Sequence, residues 1–416
     1  MTHRGPAPLL LQRDFAALWW GQLISILGER LNYVALVGIV ALHTDQLRDS
    51  NASLLLSALG NAMVAPVLLF SPFTGVWLDR SNIKHVLVLS DLVRSLLVLL
   101  LPVLYAATHS MGPVLGLVFL LFTCNVLFLP AKSAITPEIL EPSQLLAANS
   151  LLSLAGVAAT LLGALVGGWI VDQWGWQTAL YVNAATYLVS VVSLALIRYR
   201  PRPHEARPGI TLRRYLGEVA EGWKLVRRRA TIGVALASLG AVWVGGGILH
   251  VAGNPHIQRA ASQPGMERLG VLLGCLAAGA VVATLWLNGP GRAVPRGPLL
   301  AVGLTLAGAA LAAFAVSTRF AVFAASGFVI GVCAAPIFVL SETLLQEDVP
   351  LERRGRVFSL RDFLMRLVFL VGMSFAGVAV APLGTRPVLL VCAGLMVGLG
   401  GLVFAWGRRP RAAPSL

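Results

Sequence analysis

Residues 85–107 read HVLVLSDLVRSLLVLLLPVLYAA. At 1.5 Å of rise per residue, one helix of this length crosses a hydrocarbon core of about 30 Å, and only Asp91 and Arg94 interrupt its apolar character. Runs of the same kind recur on both sides of it. The expected spans are 15 to 42, 53 to 77, 85 to 107, 112 to 131, 145 to 171 and 176 to 197, then 230 to 252, 269 to 288, 297 to 316, 319 to 342, 358 to 381 and 386 to 406. The first follows Arg13 and Asp14 and is too long for the apolar part of a signal peptide, so it is read as a membrane helix. The expected fold class is an all-α membrane protein of about 12 transmembrane helices in two six-helix bundles. Its expected domains are an N-terminal bundle (1–197), a basic linker (198–229) and a C-terminal bundle (230–416).

Composition agrees with that reading. Of 416 residues, 57% are hydrophobic and 12% charged, and mean hydropathy is +0.80, whereas a soluble domain carries about 25% charged residues. The four cysteines, Cys124, Cys275, Cys333 and Cys392, each stand alone in a different apolar run with no CxxC spacing, which predicts buried thiols and neither bridges nor metal ligands. His250 and His256 lack a third ligand at metal spacing.

Basic residues set the expected orientation, because cytoplasmic flanks are rich in Lys and Arg. Of 32 such residues, only Arg48, Arg259, Arg268, Arg319 and Arg386 fall on the outer side if both termini are cytoplasmic. The net charge of +14 is then explained by topology and contact with anionic lipid, and nucleic acid is not expected as a partner. Within 198–229, Leu212, Leu216, Val219, Trp223 and Val226 recur every three or four positions beside Arg213, Arg214, Lys224 and Arg227, the pattern of an amphipathic helix on the membrane surface.

Five passages resemble the major facilitator superfamily of secondary transporters. The first, Gly75-Val-Trp-Leu-Asp79-Arg80-Ser-Asn82-Ile-Lys84, is similar to the superfamily's loop motif between spans two and three. Gly75 admits a neighbouring helix, Asp79 suits the positive N-terminal end of another helix, and Arg80 and Lys84 stay in the cytoplasm. Asn82 replaces the family's second glycine and tolerates a left-handed turn. The resemblance implies that this loop braces a cytoplasmic gate against span eleven. The opening Leu18-Trp-Trp-Gly21-Gln22-Leu-Ile-Ser25-Ile-Leu-Gly28, the passage Pro130-Ala-Lys132 to Pro137-Glu138 with Leu145 to Ser150, and Pro350-Leu-Glu-Arg-Arg354-Gly355-Arg356-Val-Phe-Ser359 resemble the branch of macrolide efflux proteins and the enterobactin exporter. Gly163-Ala164-Leu-Val-Gly167-Gly168 is similar to the exporters' antiporter motif, with Ala164 where they carry proline, and predicts close helix packing.

Ionisable residues inside spans each cost about 2.5 to 3.5 kcal/mol at a helix centre. Glu29 and Arg30 lie near the middle of span one, with Asn32 on the same face as Glu29. Glu29 is the expected proton-coupling or substrate group. Arg30, one position along, is expected to point elsewhere, and Trp243 in span seven is a further cavity candidate. Asp91 and Arg94 in span three match Arg361 and Asp362 in span eleven in depth, with Arg366 nearby, which predicts a latch between the halves.

Neither a nucleophile elbow nor a phosphate loop occurs, so neither an enzyme nor an ATP-driven pump is expected, and no cofactor is implied. The expected function is a monomeric, proton-coupled exporter of a small amphiphile in the inner (plasma) membrane, working by alternating access. Its partners would be a small-molecule or lipid substrate, protons and membrane lipids. A lysophospholipid flippase of the same fold is the alternative, and a non-transporting receptor a third reading.

Overall fold

The computed structural model describes residues 9–44, 51–79, 81–199, 217, 220, 221, 223, 226, 230–260, 265–349 and 351–407, with side chains described at all of these except 72, 75, 76, 79, 230, 292, 348, 351–356, 406 and 407. The long helices are α1 (Arg13–His43), α2 (Ala52–Asp79), α3 (Ile83–Thr108), α4 (Met111–Ile139), α5 (Leu145–Ala195), α6 (Ala230–Ala260), α7 (Met266–Asn288), α8 (Arg296–Val316), α9 (Phe320–Asp348), α10 (Leu351–Leu383) and α11 (Thr385–Gly407). Among the described residues, 11 helices are long and apolar enough to cross a membrane.

The expected spans 145 to 171 and 176 to 197 run together as α5, a continuous 51-residue helix except at Gly175, whose φ of 83° and ψ of 161° break it. That backbone conformation is open essentially only to glycine, so one residue does the work of a loop. Several helices also outrun their expected spans: α4 continues past Pro130 and Pro137 to Ile139, and α9 extends to Asp348. Hydropathy marks where apolar residues stop, whereas a helix ends where its hydrogen bonding ends. The four cysteines are free thiols.

The chain divides into two units, Met1–Tyr215 with Gln263–Gly274, and Leu216–Ser262 with Cys275–Leu416. In the first, α1 packs along α5, α3 packs on α4 and α5, and α2 packs on α4. In α1 a Cβ at Gly28 would run into Thr186 and Asn183 of α5, so the absence of a side chain sets how closely these helices approach. In the second unit, α8 packs on α11 and α9, and α6 packs on α9, α10 and α11.

Helix α3 shows how lipid sorts the residues. Leu89, Leu96 and Val103 are more than half exposed, whereas Asp91, Arg94, Ser95 and Val98 on the other face are buried. A lipid-solvated helix turns leucines outward and hides its charges. Of the expected amphipathic helix, Leu212, Leu216, Val219, Arg213, Arg214, Lys224 and Arg227 lie outside the described residues. Val226 is buried in a cluster with Ile232, Leu236, Leu345 and Val357, while Trp223 is 49% exposed.

Candidate functional site

The first unit gathers its membrane charges around one arginine. Arg94 Nη1 donates to Glu29 Oε1 at 2.8 Å, and Nη2 pairs with Asp91 Oδ1 one turn back on the same helix. The Nη1 group also reaches Asn125 Oδ1 of α4 at 3.5 Å. The guanidinium lies over two rings, with Cζ 4.2 Å from the centroid of Phe128 and 4.7 Å from that of Tyr187. Such stacking suits the planar, weakly hydrated arginine head and would not suit lysine. Lys132 of α4 interacts electrostatically with Glu29, Arg94 and Asp91.

Burial separates the roles of the two carboxylates. The side chains of Asp91 and Arg94 are 0% and 1% exposed, so this pair is internal to the unit and does not reach toward the lipid surface. Glu29 is 29% exposed and faces a cavity of about 160 Å³, lined also by Arg30, Asn32, Tyr33, Asn125 and Tyr187. The arrangement can hold a proton, or a cation, at one accessible carboxylate whose other contact is a fixed positive charge.

Arg30 departs from its expected place, because it lines the same cavity as Glu29. Its stem lies against α5, where a Cβ on Gly163 would sit 2.8 Å from Arg30 Cβ. A Cβ on Gly167 would come within 3.1 Å of Leu31 Cα, and one on Gly168 within 2.7 Å of Met266 O. The Gly163 to Gly168 stripe therefore packs α1 on one side and the start of α7 on the other. No kink occurs at Ala164, since only Gly175 in α5 departs from helical geometry.

Close to that stripe, Asp172 Oδ1 accepts from Met266 N at 2.7 Å and Oδ2 from Glu267 N at 2.6 Å. A carboxylate from α5 thus caps the N-terminal turn of α7, satisfying two amides that no intrahelical carbonyl can reach.

Of the residues expected in a latch, Asp91 and Arg94 pair with each other in the first unit, and Arg361 and Asp362 pair with each other in the second. Arg361 binds Glu342 of α9 and its neighbour Asp362, the latter at 2.7 Å, and stacks over Phe358. Glu342 was hidden from sequence reasoning because it stood at the very end of an expected span, where a charge looks like a boundary. Trp243 sits edge-on to Phe338 and Phe369 in the second unit. His256 bonds Thr385 Oγ1 and Phe314 O at 3.2 Å each, and no metal-binding group occurs among the described residues.

The loop motif is partly in view. Asn82 accepts from Lys84 N at 3.0 Å and His85 N at 3.3 Å with φ of −72°, so it is the N-cap of α3 and not a left-handed turn. Lys84 Nζ donates to Ala195 O and Ile197 O, each at 2.7 Å, closing the C-terminal end of α5. The side chains of Asp79, Arg354 and Arg356, and all of Arg80, lie outside the described residues, while Gly75 lies within α2.

Known proteins are similar to this chain. The chain is 22% identical over 380 residues to a putative bacilysin exporter, BacE, of Bacillus subtilis, covering 91% of this chain and 92% of the relative. It is 27% identical over 352 residues to the lysophospholipid transporter LplT of Serratia proteamaculans, covering 81% of each chain. Among solved structures, a mutant of the nucleoside transporter NupG shares the fold with a TM-score of 0.76 at 13% identity, over 94% of this chain and 99% of that one. The family model of the Major Facilitator Superfamily matches residues 18–288 and 263–416. This chain, an all-helical membrane transporter, belongs to the Major Facilitator Superfamily.

Proposed function

We propose that the protein is a proton-coupled secondary transporter that exports a small amphiphilic molecule across the inner membrane by alternating access. The observation that carries this reading is Glu29, a carboxylate inside a membrane helix, accessible from a cavity and tied through Arg94 to the buried Asp91. Taking up a proton weakens the Glu29–Arg94 pair and releasing it restores the pair, which links occupancy of the cavity to the ion pair that joins α1 to α3. Counting α5 as two crossings that meet at Gly175 gives twelve, with both termini cytoplasmic, and the loop of Asp79 and Arg80 then serves as the inner gate. Efflux is favoured by the likeness to a putative exporter.

A lysophospholipid substrate is the second reading, favoured by the likeness to LplT. Purified protein in liposomes, given a pH gradient and a panel of drug-like compounds, siderophores and lysophospholipids, separates these. At least one compound should move in response to the gradient and stop when a protonophore collapses it. Movement of none, with the protein folded and inserted, would overturn the transporter reading.

A further inference from the structure

The cavity beside Glu29 is small and carries both signs of charge. At about 160 Å³ it falls below the roughly 300 to 1,000 Å³ of sites that enclose a drug-sized ligand. It therefore suits one polar end of an amphiphile and not the whole molecule.

Its unsatisfied groups specify that end. Glu29 uses Oε1 for Arg94, and its Oε2 has no hydrogen-bond partner among the described residues. Asn32, three positions along on the same face and 3% exposed, keeps its Oδ1 buried without a hydrogen bond. Both side chains line the cavity and both oxygens accept. Arg30 lines it too, is exposed, and has no carboxylate at ion-pair distance among the described residues. Arg94 is unlike it, being committed to Asp91 and Glu29.

We propose that this cavity is a head-group site for a zwitterion, whose ammonium donates to Glu29 Oε2 and Asn32 Oδ1 while its carboxylate or phosphate pairs with Arg30. A ligand with only a positive charge would face Arg30 unscreened, and one with only a negative charge would face Glu29. Either mismatch leaves one charge of the cavity without an opposite partner. A zwitterion whose two charges stand a few bonds apart satisfies both at once. This inference rests on the transport reading, since the ammonium occupies the carboxylate through which that reading exchanges its proton.

The test uses the full-length protein in nanodiscs and matched ligands differing by one charge. The soluble arm compares leucyl-phenylalanine with its N-acetyl form, which lacks the ammonium, and its C-terminal amide, which lacks the carboxylate. The lipid arm compares lysophosphatidylethanolamine with its N-acetyl derivative. Titration calorimetry on the wild type should show the zwitterion of one arm binding at least tenfold more tightly than its single-charge analogues, and the arm that responds identifies the source of the head group. In Arg30→Gln the advantage of the zwitterion over the amide, or over ethanolamine lysolipid lacking its phosphate, should vanish while the protein remains folded. Equal affinity for zwitterions and analogues in both arms, or tighter binding of a single-charge form, would overturn the head-group assignment even if a pH gradient still drives transport. Charge-selective binding without gradient-driven transport would uphold the assignment and sink the coupling reading instead.

Discussion

Glu29 of α1 and Arg94 of α3 stand 65 positions apart in sequence and meet at 2.8 Å, the only link between a cavity-facing carboxylate and the buried Arg94–Asp91 pair that an ion pair provides among the described residues. Glu29→Gln keeps the shape of this link and removes its titratable group. Accumulation driven by a pH gradient should fall at least tenfold, while the thermal midpoint changes little. Liposome flux measured with and without the gradient checks this, and full gradient-driven accumulation by the variant would remove Glu29 from the mechanism.

Arg94→Ala leaves Asp91 fully buried without its counter-ion. Breaking a buried pair by removing one partner costs about 3 to 5 kcal/mol, so this variant should express poorly and unfold at a markedly lower temperature. Adding Asp91→Asn removes the orphaned charge and should recover much of the loss. If the double variant is no more stable than Arg94→Ala, the pair is not the reason for the defect.

Asp172 holds the amides of Met266 and Glu267. Losing such a cap typically costs about 0.5 to 2 kcal/mol. In Asp172→Ala, hydrogen exchange at residues 266–267 should therefore quicken about fivefold or more, with exchange in the middle of α3 unchanged. Identical protection in wild type and variant would show that the cap contributes nothing in the membrane.

A methyl group at Gly28 would collide with Thr186 and Asn183. Overpacking of this kind typically costs about 1 to 3 kcal/mol, so Gly28→Ala should lower the thermal midpoint. Gly116 has open space around it, and Gly116→Ala should cost nothing or stabilise slightly through helix propensity. Equal behaviour of the two variants would contradict the close α1–α5 approach.

The membrane-spanning character of this chain was legible in sequence because lipid acts on composition locally. Any run of about 20 apolar residues must shield its own backbone, and helix formation does so without reference to the rest of the fold. The same local penalty exposed Glu29, Arg30, Asp91 and Arg94 as residues needing compensation. What compensates them was decided by tertiary packing. Depth along two spans suggests Arg361 for Asp91, whereas within the first unit Arg94 meets Asp91, Glu29 of α1 and Asn125 of α4, and within the second Arg361 meets Glu342 of α9. Arg30 and Glu29 are adjacent and were expected to diverge, but the glycine at 163 lets α5 close over the arginine stem and keeps both on one cavity. The capping roles of Asn82 and Asp172 were likewise absent from the motif patterns, since a cap depends on which backbone amides happen to lie within about 3 Å of the side chain. Transfer from water to lipid is additive along a chain and can be read residue by residue. Which charge meets which depends on distances between helices, and those are set by side chains far from either partner.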